Sequence, residues 1–331
     1  MSNSSSDGTS SCGVTQFFEK TGRYEARRWE DEFTLSHIDE ETGRVKDNIS
    51  ELRSCPICND SGNSELFNKQ GFIHRRCTSC DTIYVSPSLT KESFHELWYG
   101  DNSPYPFLDT VNSEDQKRFD RVRFNSVLNV LAEYSEGRRL LDVGTGGGYF
   151  LQLASEKGWC AEGVDVYKRA ADFACSQGLN VKHADFNQVE YPEAFDCVSL
   201  WEVIDLVPNP LEMLDGAIGL LKQGGVLGLS FRNAYSLAAM ILREECNVFL
   251  GSAHFQMMSF SCVENLLNRK GFELVWSDGY ISESRIVCNY LDYLDPYKSD
   301  SKNQSLKDIF TDEFIHKNKL SYKFNMVFRK L

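Results

Sequence analysis

The chain has 331 residues, a formal net charge of −13 and 41% hydrophobic residues. This length accommodates two domains, or one large domain with extensions, and the hydrophobic content excludes wholesale disorder. The acidic balance disfavours a nucleic acid as the partner, and no run of about 18 apolar residues is present for a membrane span.

Residues 1–14 are rich in serine and lack the apolar core of a secretory signal, so we expect a disordered tail on a cytoplasmic protein. The cytosol keeps thiols reduced, and the eleven cysteines of the chain then need a role other than disulfides. Residues 15–54 form a charged extension with scattered aromatic residues. We expect this extension to pack on a neighbouring element or to make a homodimer contact.

Residues 55–90 contain four cysteines with the spacing C-x2-C-x18-C-x2-C. They are Cys55, Cys58, Cys77 and Cys80. Two such pairs present four thiolates to one ion, and this spacing is typical of a structural zinc site. A redox or disulfide role is the alternative, which a reducing cytosol disfavours. We therefore predict a small zinc ribbon. Lys and Arg do not outnumber Asp and Glu in residues 51–100, which favours a scaffold over a nucleic-acid module.

Residues 91–135 combine crowded aromatics and prolines with a predicted helix over 113–134, so we expect a helical linker or a lid. In residues 136–331, predicted strands and helices alternate, which predicts a doubly wound parallel α/β sheet of seven strands. Asn209-Pro210 and a capping box at 261–264 mark predicted helix starts, and Gly224-Gly225 marks a predicted helix end. Residues 280–321, between the last two predicted strands, form either a substrate lid or a surface insertion.

The stretch from Asp142 to Tyr149 predicts a strand end, a glycine-rich turn and a helix N-terminus. This arrangement lets backbone N–H groups approach a polar ligand closely. A nicotinamide dinucleotide site requires a third glycine at the position that Tyr149 occupies. The observed glycines are instead Gly144, Gly146 and Gly148, so the turn follows an acid–x–Gly–x–Gly–x–Gly pattern.

At this point the chain resembles the class I S-adenosylmethionine-dependent methyltransferases, and the resemblance continues in register over 139–279. Asp165 matches the acid that ends the second strand of that family and holds the ribose hydroxyls. Asp185-Phe186 matches the pair at the adenine, and the strand ending at Trp201 lies by the methionine part. The resemblance implies a fold of seven strands around S-adenosylmethionine. The cofactor-binding residues that it implies are Asp142, Gly144, Thr145, Gly146, Gly148, Asp165, Val166, Asp185, Phe186 and Trp201.

The segment from His254 to Phe260 is similar to one in methyltransferases of ubiquinone biosynthesis and sugar tailoring. Zinc ribbons also precede methyltransferases of bacterial glycan and natural-product pathways, and one group of ribosomal-RNA guanine methyltransferases. The acidic charge favours the former, which predicts a sugar, a sugar nucleotide or a natural-product intermediate as the small-molecule substrate. An RNA methyltransferase and a nicotinamide-dependent oxidoreductase are the alternatives.

The catalytic base is less well marked than the cofactor site. Many relatives have Glu-His-Val where this chain has Asp205-Leu206-Val207, so that histidine cannot be carried over. The candidates by position are His254, Glu202 and Asp205, and Tyr105 and Tyr235 are candidates for orienting the acceptor. Each has a structural alternative, namely a buried hydrogen bond, cofactor support, a turn cap or packing. The acceptor atom, whether O, N or C, stays open.

Overall fold

The computed structural model describes residues 19–100 and 107–331. The predicted tail over 1–14 and the candidate Tyr105 lie outside these residues. The strands are β1 Ile38–Asp39, β2 Arg44–Val45, β3 Ser50–Glu51, β4 Asn63–Lys69, β5 Phe72–Cys77, β6 Ile83–Val85, β7 Ser88–Leu89, β8 Arg139–Val143, β9 Cys160–Asp165, β10 Val181–His183, β11 Phe195–Trp201, β12 Leu221–Arg232, β13 Gln256–Met257, β14 Phe272–Ile281 and β15 Lys323–Lys330. The helices are α1 Arg23–Ser36, α2 Lys91–Tyr99, α3 Phe107–Asn112, α4 Glu114–Tyr134, α5 Tyr149–Glu156, α6 Lys168–Ser176, α7 Pro210–Gly219, α8 Leu237–Leu242, α9 Phe260–Arg269, α10 Ser284–Tyr293, α11 Gln304–Ile309 and α12 Asp312–Lys317.

Seven strands form the central sheet in the order β10-β9-β8-β11-β12-β15-β14. The prediction of a seven-stranded doubly wound sheet is confirmed. Strands β8 to β12 pair in parallel, but β15 runs antiparallel to both β12 and β14. The prediction of an all-parallel sheet was therefore wrong, because β15 enters the sheet between two strands that precede it in the chain. The result is a mixed seven-stranded sheet, in keeping with the resemblance to the class I methyltransferases.

Helices cover both faces of this sheet, as the alternation of side chains along a strand requires. Leu140 and Val226 point to one face, where they pack with α4, α5 and α6. Their chain neighbours Leu141 and Leu227 point to the other face, where they pack with α7 and α9. Each helix buries an apolar stripe against the sheet, so the sheet lies between two layers of helices.

The strand order reverses beside β8, since the chain continues to β9 and β10 on one side and to β11 on the other. Parallel strands on either side of such a reversal leave a crevice at their carboxyl ends, where open α/β sheets bind ligands. The predicted glycine turn follows the carboxyl end of β8 and therefore lies at this crevice.

Two predicted helix boundaries differ from the observed ones. Helix α9 begins at Phe260 because the hydroxyl of Ser259 accepts a hydrogen bond from the N–H of Cys262 at 3.0 Å, which places the predicted capping box inside the first turn. Helix α7 ends at Gly219, and the predicted stop Gly224-Gly225 lies within β12 instead.

The N-terminal segments pack directly on the core. Strands β4, β5 and β6 form an antiparallel sheet that β13 completes in the order β13-β6-β5-β4. Trp29 and Phe33 of α1 pack on Trp98 of α2, with ring centroids 5.5 and 5.4 Å from that ring. Among the described helices, none combines the length and the hydropathy that crossing a membrane needs.

Candidate active site

The glycine turn joins β8 to α5 through three residues in the left-handed region. Gly144, Gly146 and Gly148 have φ angles of 72°, 55° and 81°. A side chain at Gly144 would also collide with Val203, since its Cβ would lie 2.5 Å from a methyl carbon. Only glycine adopts this backbone without strain, and the turn thereby brings backbone N–H groups to the carboxyl edge of the sheet.

Asp142 is buried beneath this turn and holds it in place. One carboxylate oxygen accepts a hydrogen bond from the hydroxyl of Ser199 at 2.5 Å, and the other accepts one from Thr145 at 2.8 Å. Burial raises the pKa of Asp142 to about 7, although both hydroxyls favour the ionised form. Through these two hydrogen bonds, Asp142 ties the turn at Thr145 to the neighbouring strand β11 at Ser199.

Asp165 ends β9 and faces the same turn. One oxygen accepts a hydrogen bond from the N–H of Gly146 and the other from the N–H of Tyr167, both at 2.7 Å. Burial raises the pKa of Asp165, and these two backbone donors oppose the shift. Each carboxylate oxygen has a further lone pair, so Asp165 can still accept hydrogen bonds from a ligand. Val166, the next residue, lines the same space.

Asp185 and Phe186 follow β10. One oxygen of Asp185 caps a short 3₁₀ turn by accepting from the N–H of Asn187 at 3.1 Å, and the other pairs with Lys91 of α2 at 2.7 Å. Burial raises the pKa of Asp185, but the hydrogen bonds from Lys91 and Asn187 outweigh burial and lower it. Helix α2 is thus tied to the loop beside the predicted cofactor residues.

One cavity of about 650 Å³ connects these residues to a second region, which we call the distal chamber. This volume is in the range of a small-molecule site. The elements that line the cavity include α1, α2 and the segment after β14. Residues from the segments 15–54, 91–135 and 280–321 therefore all contribute to its wall. The residues that define the distal chamber are Arg23, Lys69, Arg123, Glu202, Arg232, His254, Tyr280, Tyr322 and Lys323.

Glu202 is the centre of an ionic network in the distal chamber. It lies directly after β11 with a φ of 58° and pairs with Arg123 and Arg232, both at 3.3 Å, and with Lys323. The hydroxyl of Tyr280 donates a further hydrogen bond at 3.1 Å. Burial raises the pKa of Glu202, but the three cations outweigh burial and hold it well below its ordinary value. Four side-chain donors already surround this carboxylate, so the geometry favours a supporting role.

His254 lines the cavity, and one nitrogen of its ring carries no proton. Its Nδ1 lies 2.9 Å from the carbonyl oxygen of Val248, and a carbonyl only accepts, so Nδ1 carries the proton. The lone pair of the neutral ring is therefore on Nε2. Burial lowers the pKa of His254 well below its ordinary value, and Arg232 lowers it further, which keeps the ring neutral at pH 7.

Two of the other predicted catalytic residues do not line the cavity. Asp205 is fully buried and pairs with Arg232 at 2.7 Å, so it positions that cation instead of facing a ligand. The hydroxyl of Tyr235 donates to the carbonyl oxygen of Asp81 at 2.5 Å and thereby attaches the core to the ribbon. Trp201 does line the cavity, with its ring packed 5.2 Å from the ring of Phe150.

The sequence reasoning missed several residues of the distal chamber. Arg232, Tyr280 and Lys323 come from three different strands, and no local pattern marks them before the strands are paired. Tyr99 closes α2 with its ring 5.3 Å from the ring of Tyr167, and burial raises the pKa of its hydroxyl, with Asp165 adding to the shift. The aromatic crowding around Tyr99 was a signal, because it predicted either a linker pinned to the core or a lid there.

The four cysteines of the ribbon come together as the spacing predicts. The sulfurs of Cys55 and Cys80 are 3.5 Å apart, those of Cys58 and Cys77 are 3.4 Å apart, and all four lie within 4.8 Å of one another. Bonds of about 2.3 Å to one tetrahedral ion require sulfur separations of roughly this size. The described cysteines form no disulfide, so the cluster fits a zinc ion.

Comparisons with known proteins agree with this architecture. The profile of the methyltransferase domain family matches residues 110–277, just over half of the chain. A ubiquinone biosynthesis O-methyltransferase of Haemophilus ducreyi is 28% identical over 164 residues, which span 46% of this chain and 65% of that protein. A ubiquinone biosynthesis O-methyltransferase of Xanthomonas campestris is 27% identical over 178 residues, which span 47% of this chain and 70% of that protein.

Solved structures with a similar fold include a SAM-dependent methyltransferase from Archaeoglobus fulgidus. It is 23% identical, with a TM-score of 0.46, and the match covers 63% of this chain and 94% of that one. Magnesium protoporphyrin IX methyltransferase from Synechocystis, solved with bound SAH, is 14% identical with a TM-score of 0.45 over 67% of this chain and 89% of that one.

Proposed function

The chain belongs to the methyltransferase domain family, and from this premise we propose that it transfers a methyl group from S-adenosylmethionine to a hydroxyl of a small polar molecule. The observation that carries the proposal is the single cavity that joins the glycine turn to the distal chamber. Donor and acceptor must meet in line for a displacement at the methyl carbon, and one continuous cavity with two differently lined ends supplies that arrangement.

The donor end of the cavity would hold the nucleoside through Asp165. A carboxylate only accepts hydrogen bonds, so its remaining lone pairs suit the two hydroxyls of a ribose. Asp185 and Phe186 lie where the adenine would bind, and Trp201 lies toward the methionine part. We assign Asp142 to holding the turn, because Thr145 of the turn donates to its carboxylate.

His254 is the proposed general base at the acceptor end. S-adenosylmethionine, when bound, supplies an activated methyl group and leaves as S-adenosylhomocysteine. The lone pair on Nε2 of His254 accepts the proton of the acceptor hydroxyl, and the bond to Val248 fixes the ring for this transfer. Arg232 and Lys323 stabilise the negative charge that develops on the oxygen, and Glu202 positions both cations.

The charged lining of the distal chamber supports a polar acceptor, such as a sugar, a sugar nucleotide or a hydroxylated natural product. Arg23, Lys69, Arg123, Arg232 and Lys323 all line it, and each comes from a different helix or strand. An isoprenoid chain would strip water from these groups without replacing their hydrogen bonds, which is costly. The ubiquinone pathway named for the relatives is therefore not the substrate class that we propose.

The ribbon would hold one structural Zn²⁺ through Cys55, Cys58, Cys77 and Cys80. Four thiolates saturate a tetrahedral ion, so this site has no open position for chemistry. Chelation followed by metal analysis tests the assignment, and a protein purified with about one zinc per chain is the expected result.

Thermal-shift measurements test the donor. S-adenosylhomocysteine at 100 times its Kd is expected to stabilise the protein by about 2.7 kcal/mol, and NAD is expected to have no effect. Asp165→Asn should weaken the binding of S-adenosylhomocysteine about tenfold or more, because the ribose loses a charged acceptor. Asp172→Asn on the exposed face of α6 is the matched control. Stabilisation by NAD alone would overturn the proposal.

Release of S-adenosylhomocysteine with a panel of acceptors tests the acceptor class. We expect turnover with a polyhydroxylated compound and none with an isoprenoid phenol. His254→Ala should lower kcat about 100-fold or more and leave S-adenosylhomocysteine affinity unchanged, whereas His37→Ala, outside the cavity, should leave both unchanged. Near-wild-type kcat in His254→Ala would remove that residue from the mechanism.

A further inference from the structure

The sheet of the cysteine ribbon contains a strand from the methyltransferase core. Strand β13 pairs antiparallel with β6, so that Gln256 lies opposite Tyr84 and Met257 opposite Ile83. The N–H of Val85 also donates to the carbonyl oxygen of Phe255 at 3.0 Å. Since Phe255 follows His254 directly, the ribbon is hydrogen-bonded to the segment that carries the proposed base.

The same short strand leads back to the cysteine cluster. Strand β5 ends at Cys77, and the N–H of Cys77 donates to the carbonyl oxygen of Thr82 at 2.9 Å, just before β6 begins. Cys80 lies in the turn between the two strands, and its thiol contacts the hydroxyl of Thr82 at 3.3 Å. A metal ion held by the four thiolates would therefore fix the end of the hairpin from which β6 starts.

The ribbon also contributes directly to the distal chamber. Lys69, at the end of β4, lines the chamber, and its Nζ donates to the carbonyl oxygen of Cys246 at 2.9 Å. The ribbon sheet thus reaches the chamber through Lys69 on its edge strand β4, and its other edge strand, β13, begins two residues after His254.

We propose that the metal-loaded ribbon is a wall of the acceptor site, in which β6 positions His254. This inference rests on the proposed function, because it assigns a purpose to the orientation of the proposed base. Strand β6 pairs with β5 over three residues and with β13 over two, so few hydrogen bonds hold it between the hairpin and the core when no metal fixes the hairpin end. Metal binding supplies the missing free energy, as it does in other small four-thiolate domains.

The effect of metal loss should stay local, because the core holds His254 from the opposite side. The N–H of His254 donates to the carbonyl of Leu250 at 2.8 Å, and the N–H of Phe255 donates to the carbonyl of Asp205 at 3.0 Å. The donor site on β8 and β9 has no strand in common with the ribbon sheet. Cofactor affinity and base position are therefore separable observables.

The test compares the wild type, wild type after chelation, and Cys58→Ser, with Cys160→Ser as the matched control for an exposed cysteine outside the cluster. Three readouts need no acceptor: amide exchange of Val85, carbethoxylation of His254 by diethyl pyrocarbonate, and S-adenosylhomocysteine affinity. In metal-free protein we expect amide exchange and carbethoxylation each to rise about tenfold or more. We expect S-adenosylhomocysteine affinity and the exchange of β12 amides to stay unchanged, and Cys160→Ser to match the wild type in every readout.

Unchanged exchange at Val85 or unchanged carbethoxylation of His254 in metal-free protein would overturn the inference. A simultaneous loss of S-adenosylhomocysteine binding and of β12 protection would also overturn it, since the ribbon would then stabilise the whole fold. Wild-type protein that fails to bind S-adenosylhomocysteine would instead refute the proposed function, so the two failures are distinguishable.

Discussion

Replacing Glu202 by glutamine keeps the size of the side chain and removes the charge at the centre of the ionic network. Arg123 keeps Asp120 at 3.1 Å, and Arg232 keeps Asp205 at 2.7 Å. Among the described residues, Lys323 has no other carboxylate within salt-bridge distance. The substitution therefore leaves one buried cation uncompensated and two partly compensated.

The size of the effect follows from which of these cations can lose a proton. Burial lowers the pKa of Lys323 to about 8, and Glu202 opposes that shift, so the variant should have a lower pKa still. At pH 7 the contribution of Lys323 cannot exceed about 1.4 kcal/mol, the value of one pH unit, because the ammonium can deprotonate. The arginines cannot do so, and breaking a buried pair costs about 3–5 kcal/mol, so we expect a loss of about 3 kcal/mol.

Urea denaturation at pH 6, 7 and 8 measures this loss, and proton linkage predicts in which direction the loss changes with pH. In the variant, the unfolded chain holds the lysine proton that the folded chain has lost, so stability rises with pH above the new pKa. In the wild type, this rise begins only near pH 8. The difference between the two proteins should therefore shrink toward pH 8, by about 1.4 kcal/mol per pH unit.

Glu136→Gln is the matched control, because that side chain is 87% exposed and lies 3.9 Å from Arg329. We expect its free energy of unfolding to stay within about 0.5 kcal/mol of wild type. A loss below about 1 kcal/mol in Glu202→Gln, or a difference that stays constant between pH 6 and 8, would refute the reasoning.

The free energy of unfolding of Asp142→Asn should rise relative to that of the wild type by about 4 kcal/mol between pH 4 and 8. The reason is that the pKa of Asp142 is about 7 in the folded chain against 3.8 in the unfolded chain, so its ionised form destabilises the wild type. A difference between the two proteins that stays constant with pH in urea denaturation would contradict this. Gly148→Ala should lower the free energy of unfolding by about 2–3 kcal/mol, because the added Cβ would lie 2.4 Å from a leucine methyl carbon. Gly158→Ala, which also has a positive φ but has open space around it, should lower it by only about 1 kcal/mol. Equal losses in the two variants would exclude the steric contribution. Lys91→Met should raise the pKa of Asp185, because a hydrogen bond to the carboxylate is lost; an unshifted NMR titration would contradict the pairing.

The features that the sequence predicted are those that local chemistry determines. Gly144, Gly146 and Gly148 can be recognised because glycine adopts their positive φ angles without strain. Asp165 was singled out by the family resemblance, and it lies at the glycine turn because β8 and β9 are neighbouring parallel strands. The cysteine cluster follows from spacing, since two C-x2-C turns present their sulfurs to one point.

Other features depend on which segments meet after folding. The antiparallel entry of β15 places Lys323 beside Glu202, 121 residues earlier in the chain. The ring of His254 is oriented by its hydrogen bond to Val248. The pairing of β13 with β6, which supports the His254 segment, cannot be predicted from the two residues of β13 alone.

Spacing and periodicity along the chain therefore predicted the fold class and the cysteine cluster, and the family resemblance predicted the donor side, because turns, strand ends and ligand pairs are formed by residues close in sequence. Only the tertiary structure decided the protonation of Glu202 and His254 and the lining of the distal chamber. Those properties depend on desolvation and on charges that arrive from distant strands, and neither is encoded at the position of the residue itself.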